Sequence, residues 1–69
     1  MQVFEIQKAV EREPFRPFAV RLNNGARYDF RTPKDLGASK DFAMLFHFGD
    51  DRVNTRIDTD SVVEIIETT

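Results

Sequence analysis

The stretch from Pro14 to Thr32 constrains this chain more than any other. Pro14 and Pro17 each lock their own φ and stiffen the entry. Phe18, Val20 and Leu22 then alternate with Ala19, Arg21 and Asn23, and Ala26, Tyr28 and Phe30 alternate with Arg27, Asp29 and Arg31. A period of two with one apolar face reads as two half-buried strands, here joined at Asn23-Asn24-Gly25. Parity selects the turn. If the apolar faces coincide, Phe18 lies opposite Phe30, Val20 opposite Tyr28 and Leu22 opposite Ala26. That leaves a three-residue loop with Gly25 left-handed in a G1 bulge. A two-residue turn on Asn24-Gly25 would pair Leu22 with Arg27 and send one apolar face outward. The preferred register sets Arg21 opposite Arg27. Like charges facing each other are mildly destabilising, which hints at an anionic contact there.

The segment before this stretch predicts a helix over about 2–12. Val3, Ile6 and Val10 recur at helical spacing, with polar residues between them. Pro14 disfavours helix at Glu13 and bounds the element. A helix this short needs a surface to pack on. Phe15 reads as a plug between helix and sheet; the alternative is an exposed aromatic used for binding.

After the first hairpin, Thr32-Pro33-Lys34-Asp35 breaks the strand, and Leu36-Gly37-Ala38-Ser39 reads as a short extended piece. The most apolar run follows, Phe42 to Phe48, with Phe42, Met44, Phe46 and Phe48 on one face and Ala43, Leu45 and His47 on the other. A two-residue turn at Gly49-Asp50 would set Phe48 opposite Asp51, Phe46 opposite Val53, Met44 opposite Thr55 and Phe42 opposite Ile57. Val53, Thr55 and Ile57 then face the core, and Arg52, Asn54, Arg56 and Asp58 face away. Asp58-Thr59-Asp60-Ser61 is a polar corner suited to one 3₁₀ turn, and Val62 to Glu67 is the last strand. Strands are thus expected at about 18–23, 26–32, 42–48, 52–58 and 62–67, in a single domain over 1–69. The expected fold is mostly β: a small, strongly bent five-stranded barrel, Sm-like or SH3-like, with an N-terminal α-helix. The alternative is an open α+β sheet with the helix packed across it.

Composition excludes several activities. There is no cysteine and one histidine among 69 residues, so neither a disulfide nor a thiolate or multi-histidine metal site is available. Ser39, Ser61 and His47 are the only ingredients for nucleophilic catalysis, and His47 falls mid-strand among phenylalanines, where a packed or interface histidine is the simpler account. Asp50-Asp51 and Asp58/Asp60 lie in turns, where aspartates serve turn chemistry. Gly25, Gly37 and Gly49 are isolated, so no glycine-rich phosphate loop exists. We therefore expect no enzymatic activity, no cofactor, no metal and no small-molecule substrate. No apolar run approaches a bilayer span, and the N-terminus lacks a signal-peptide pattern. With the missing cysteines this leads to an expected soluble, cytoplasmic protein with no membrane partner.

Charge divides along the chain. Residues 1–40 hold eight Lys/Arg against five Asp/Glu, and residues 41–69 hold two against seven, for a net charge of −2 overall. Head-to-tail self-association is one reading of this division. Another is a local basic face: Arg16, Arg21, Arg27, Arg31 and Lys34 fall within nineteen residues, interleaved with Phe15, Phe18 and Tyr28. Phosphate attraction plus aromatic stacking is the physics of single-strand RNA binding. A solvated strand face explains the same pattern, and the pI of about 5.2 weighs against nucleic acid. Leu45, His47, Val63 and Ile65, on strands apolar on both faces, are the expected interface residues.

Pro14-Phe15-Arg16-Pro17-Phe18 and Leu22-Asn23-Asn24-Gly25-Ala26-Arg27 resemble a family of very short, uncharacterised bacterial proteins. These share a helix, a P-F-R-P-F signature, an L-x-x-G-R-type hairpin, an H-P-E segment and a final V-x-x-I-E strand. This chain has Thr32-Pro33-Lys34 at the H-P-E position and ends in Val62 to Glu67. That resemblance implies a bacterial protein and no particular activity. The element order is also similar to Sm-like proteins, a helix followed by five bent strands that assemble edge to edge into rings. Leu22 to Gly25 matches their L-x-N-G and Val62 to Ile65 their V-x-x-I, but Thr59-Asp60-Ser61 lacks the basic residue and glycine of the second motif. The resemblance implies an architecture and a homo-oligomer more than a ligand. The expected function is a non-enzymatic interaction module that self-assembles through its outer strands, with Sm-like RNA binding on the basic face as the alternative.

Overall fold

The computed structural model describes residues 2–49 and 54–67. Helix α1 spans Val3–Val10, shorter at its end than the pattern predicts. Glu11 and Arg12 carry nothing apolar to pack, and the Glu11 N–H closes the last turn on Gln7. Ile6 is the residue that α1 buries completely. Ala9 and Val10 pack around the same core, as does the half-buried Phe15. Its ring centroid lies 6.1 Å from that of Phe18.

β1 (Phe18–Leu22) and β2 (Arg27–Phe30) form the first hairpin. Phe18 faces Phe30, Val20 faces Tyr28 and Arg21 faces Arg27, the register that parity selects. The Gly25 N–H donates to Leu22 O at 3.0 Å, the Leu22 N–H to Ala26 O at 2.8 Å, and Gly25 has φ +89°. Asn24 Oδ1 accepts the Ala26 N–H at 2.9 Å and closes the turn. This is the three-residue loop with a left-handed glycine.

The chain then passes through a 3₁₀ turn, Pro33–Asp35, into β3 (Leu36–Ala38), β4 (Met44–Phe48) and β5 (Asn54–Asp58). A second 3₁₀ turn, Thr59–Ser61, leads to β6 (Val62–Glu67). The strands form two three-stranded antiparallel sheets, in the orders β2-β1-β6 and β3-β4-β5. Six strands therefore replace the expected five, because the extended piece at Leu36 pairs with β4. Among the described residues the ladders do not close into a barrel.

The second hairpin corrects the sequence-based expectation. Met44 faces Asp58 rather than Thr55, Leu45 faces Ile57, and Phe48 faces Asn54 rather than Asp51. Because Phe48 pairs with Asn54, the ladder does not run up to a two-residue turn at Gly49-Asp50. Asp50, Asp51, Arg52 and Val53, with their expected pairings and facings, lie outside the described residues. An odd slip exchanges the faces of a strand. Leu45 and His47 point into the core, and Met44, Phe46 and Phe48 take the outer face; Phe42 bends back and packs on the core from the turn. The interior is already filled by Phe18 and Phe30, whose centroids lie 5.1 Å apart, and it takes the smaller Leu45 and Ile57 against them. Outside, the Phe48 ring covers Gly37, where a Cβ would stand 3.0 Å from it.

Thr59 is the one buried polar residue of the described core, 1 % exposed, and it holds the turn between β3 and β4. Its Oγ1 donates to Phe42 O at 2.7 Å and its N–H to Ala43 O at 3.0 Å. Phe42 sits at φ +59°, a left-handed conformation costly for a residue with a Cβ, so the corner is fixed from outside rather than by its own preference.

Candidate functional site

The outer face of the first sheet carries two of the expected basic residues. Arg21 faces Arg27 on one side and Glu64 of β6 on the other. Arg21 Nε donates to Glu64 Oε1 at 2.8 Å, and Arg27 Nη2 lies 3.1 Å from Asp29 Oδ1. The like-charge pairing is thus balanced: four charges in a patch sum to zero. Exposed pairs of this kind contribute little stability, but they leave no surplus charge for a ligand. What the sequence analysis missed was Glu64, whose place beside Arg21 follows only once β6 is known to pair with β1.

The remaining basic residues disperse. Arg31 follows β2, Lys34 is exposed on the first 3₁₀ turn, and Arg16 lines a cleft below α1. Arg31 and Arg27 border a second cleft, between the two sheets, of about 410 Å³. Tyr28 joins them from β2, and His47 and Phe48 from β4. The inward register of β4 brings His47 to Tyr28.

His47 links the sheets. Its ring centroid lies 5.6 Å from Tyr28 and 5.4 Å from Phe30, and its Nε2 is 3.1 Å from the backbone oxygen of Asp29. A carbonyl only accepts, so Nε2 carries the proton. Antiparallel pairing alternates the direction of backbone groups. Because Leu22 bonds to Ala26, the groups of Asp29 point off the open edge of β2. His47 therefore caps that edge.

Of the expected interface residues, Leu45 is fully buried in the core. The cause is again the slipped register. His47 and Ile65 are half-buried, and Val63 is 49 % exposed. Val63 is the extra residue where β6 bulges between the Arg21–Glu64 and Leu22–Val62 pairs.

The carboxylates in the described turns do local work. Asp58 accepts the Asp60 N–H at 3.0 Å and starts the second 3₁₀ turn. Asp41 accepts the Ala43 N–H and the Ser39 hydroxyl, at 3.1 and 2.8 Å, and these bonds hold its carboxyl below the usual range. Glu67 is lowered likewise, first by the hydrogen bond from Arg12 at 2.6 Å and by its charge, then by the charge of Arg16. Among the described residues no group of three or more His, Asp or Glu could hold a metal, and no helix is long and apolar enough to cross a membrane. Compared with family models, curated proteins and solved structures, the chain matches none.

Proposed function

We propose that this protein is a non-enzymatic interaction module that self-associates edge to edge, with β5 of one copy pairing to β6 of the next. The observation that carries this reading is a pair of open strand edges. Leu45 and His47 direct their backbone groups to β5, so Asn54 and Arg56 direct theirs away from β4. By the same alternation, Ile65 and Glu67 direct theirs away from β1. Among the described residues no other element caps either edge, whereas His47 caps β2. Unprotected edges of this length are templates for strand addition. The resemblance to Sm-like proteins supports the same pairing. Counting β2 and β3 as one strand interrupted at Pro33–Asp35 would give five strands, the number in Sm-like and SH3-like proteins. A cytoplasmic bacterial setting belongs to the same proposal.

Arg56→Pro tests it. Its N–H points off the edge, so proline there blocks addition and leaves the β4 pairing intact. Sedimentation at tens of micromolar should show a species heavier than one chain for the wild type and a monomer for the variant, both folded. A wild type that stays a strict monomer contradicts the proposal.

A second reading, RNA binding, is favoured by the cleft between the sheets, where Arg31 and the Asp29-paired Arg27 border Tyr28, His47 and Phe48, with Asp35 alongside. Here a base would stack on the rings while Arg31 meets phosphate. Binding to a short oligouridine should then weaken steeply with salt and fall in Arg31→Glu. Binding unaffected by that charge reversal would eliminate the cleft.

A further inference from the structure

We propose that the cleft between α1 and β6 is a binding site for a small apolar monocarboxylate, a ligand class for which the sequence offered no motif. Ala9 of α1, Phe18 of β1 and Ile65 of β6 form its apolar floor. Ala9 and Ile65 are only half-buried, so the chain itself does not finish covering them. The cleft measures about 180 Å³. An apolar cavity of about 150 Å³ holds a benzene ring, so a ring or a six-carbon chain fits this space.

The rim sets the sign of the ligand. Lys8, Arg12 and Arg16 stand against Glu5 and Glu67, an excess of one positive charge. Glu67 is the centre of this arrangement. Arg12 Nη1 bonds its Oε1 at 2.6 Å, and the charge of Arg16 acts on the same carboxylate. Glu67 is paired with Arg12, and no ion pair joins it to Arg16 among the described residues. Arg16 is exposed and makes no hydrogen bond or ion pair among the described residues. A ligand carboxylate meeting Arg16 would supply the missing partner, with its apolar body lying on Phe18 and Ile65. A guanidinium fork suits a carboxylate, and one surplus charge suits a monoanion. An amine of the same body would meet the surplus charge and be repelled.

The test is a titration of the ¹⁵N-labelled protein with hexanoate, following the amide resonances. Saturable shifts at Ala9, Phe18 and Ile65 are expected, with a dissociation constant on the order of 1 mM, the range for so small a ligand. Hexylamine should leave these three resonances in place. Arg16→Gln should weaken hexanoate about tenfold, the loss of one charge-assisted hydrogen bond, and Arg16→Lys should retain part of it. Because Arg16 is exposed, the variants keep the wild-type spectrum elsewhere. Non-saturating shifts, an equal response to hexylamine, or unchanged affinity in Arg16→Gln would each overturn the proposal. Ile65 also lies on the β6 edge proposed for strand addition, so the titration is repeated on Arg56→Pro, whose β5 edge is blocked; the same saturable shifts are expected there, and the two proposals then stand or fall separately.

Discussion

The first and second hairpins are built from strands of similar length, yet different things set their registers. In the first, one face of each strand is apolar and the other polar, and Gly25 sits where the turn needs φ +89°. Pattern and turn agree, and one register satisfies both. In the second, β4 is apolar on both faces, so a slip hides as much hydrocarbon as it exposes. There the choice falls to packing. Leu45 and His47 fit against Phe30, and Phe48 lies over Gly37 on the outside. A strand's own alternation fixes its register only when one face would be harmed by exposure.

Core packing gives the largest expected effect. Leu45→Ala opens a cavity in the centre and should cost about 2–5 kcal/mol in urea unfolding. Phe48→Ala removes a ring that is 38 % exposed and should cost about 1 kcal/mol, a fraction of the value of full burial. If Phe48→Ala were the more damaging of the two, the inward face of β4 would be misassigned.

Next come two glycines, Gly25 in the first turn and Gly37 in β3. A Cβ at Gly25 would meet open space, so the cost of Gly25→Ala is that of the backbone alone, about 1–2 kcal/mol. A Cβ at Gly37 meets the edge of the Phe48 ring, which is partly exposed and can swing away. Gly37→Ala should therefore change stability by less than about 1 kcal/mol, with strand propensity gained against the displaced ring. Equal losses at the two positions would mean that the Gly25 turn is not what holds the first register.

The smallest effect concerns the turn into β4. The Asp41 carboxyl is lowered by the Ala43 N–H and the Ser39 hydroxyl. A folded value below the unfolded one means that its contribution is complete above the unfolded value of 3.8 and is lost as pH falls through the folded one. Glu67, paired with Arg12, acts in the same direction from its ordinary value of 4.5. The midpoint of thermal unfolding should decline as the pH is lowered below these values. Asp41→Asn should flatten that decline and leave the neutral-pH value slightly reduced. An identical acid profile in the variant would remove Asp41 from the account.

These regions also explain what could be read from the chain beforehand. The helix, the first hairpin, the extended piece at Leu36 and the 3₁₀ turn at Thr59 follow from local pattern, and each stands in the structure. The face of β4 does not, because Phe46 and Leu45 are both apolar and only the filled space beyond them distinguishes the two. The site residues were the least legible. Arg21 and Arg27 look like a basic pair until Glu64 arrives from β6, and Arg31 looks like their neighbour until His47 and Phe48 gather beside it. Those contacts join residues far apart in sequence, and their partners carry no motif.

The proposed pairing of β5 with β6 between copies is tested most directly by isotope-filtered NOE spectroscopy on a mixture of labelled and unlabelled chains. The account predicts intermolecular backbone contacts between residues 54–58 of one copy and 63–67 of another, lost in Arg56→Pro. A mixture that tumbles as single chains and shows no filtered contact between those strands would contradict it.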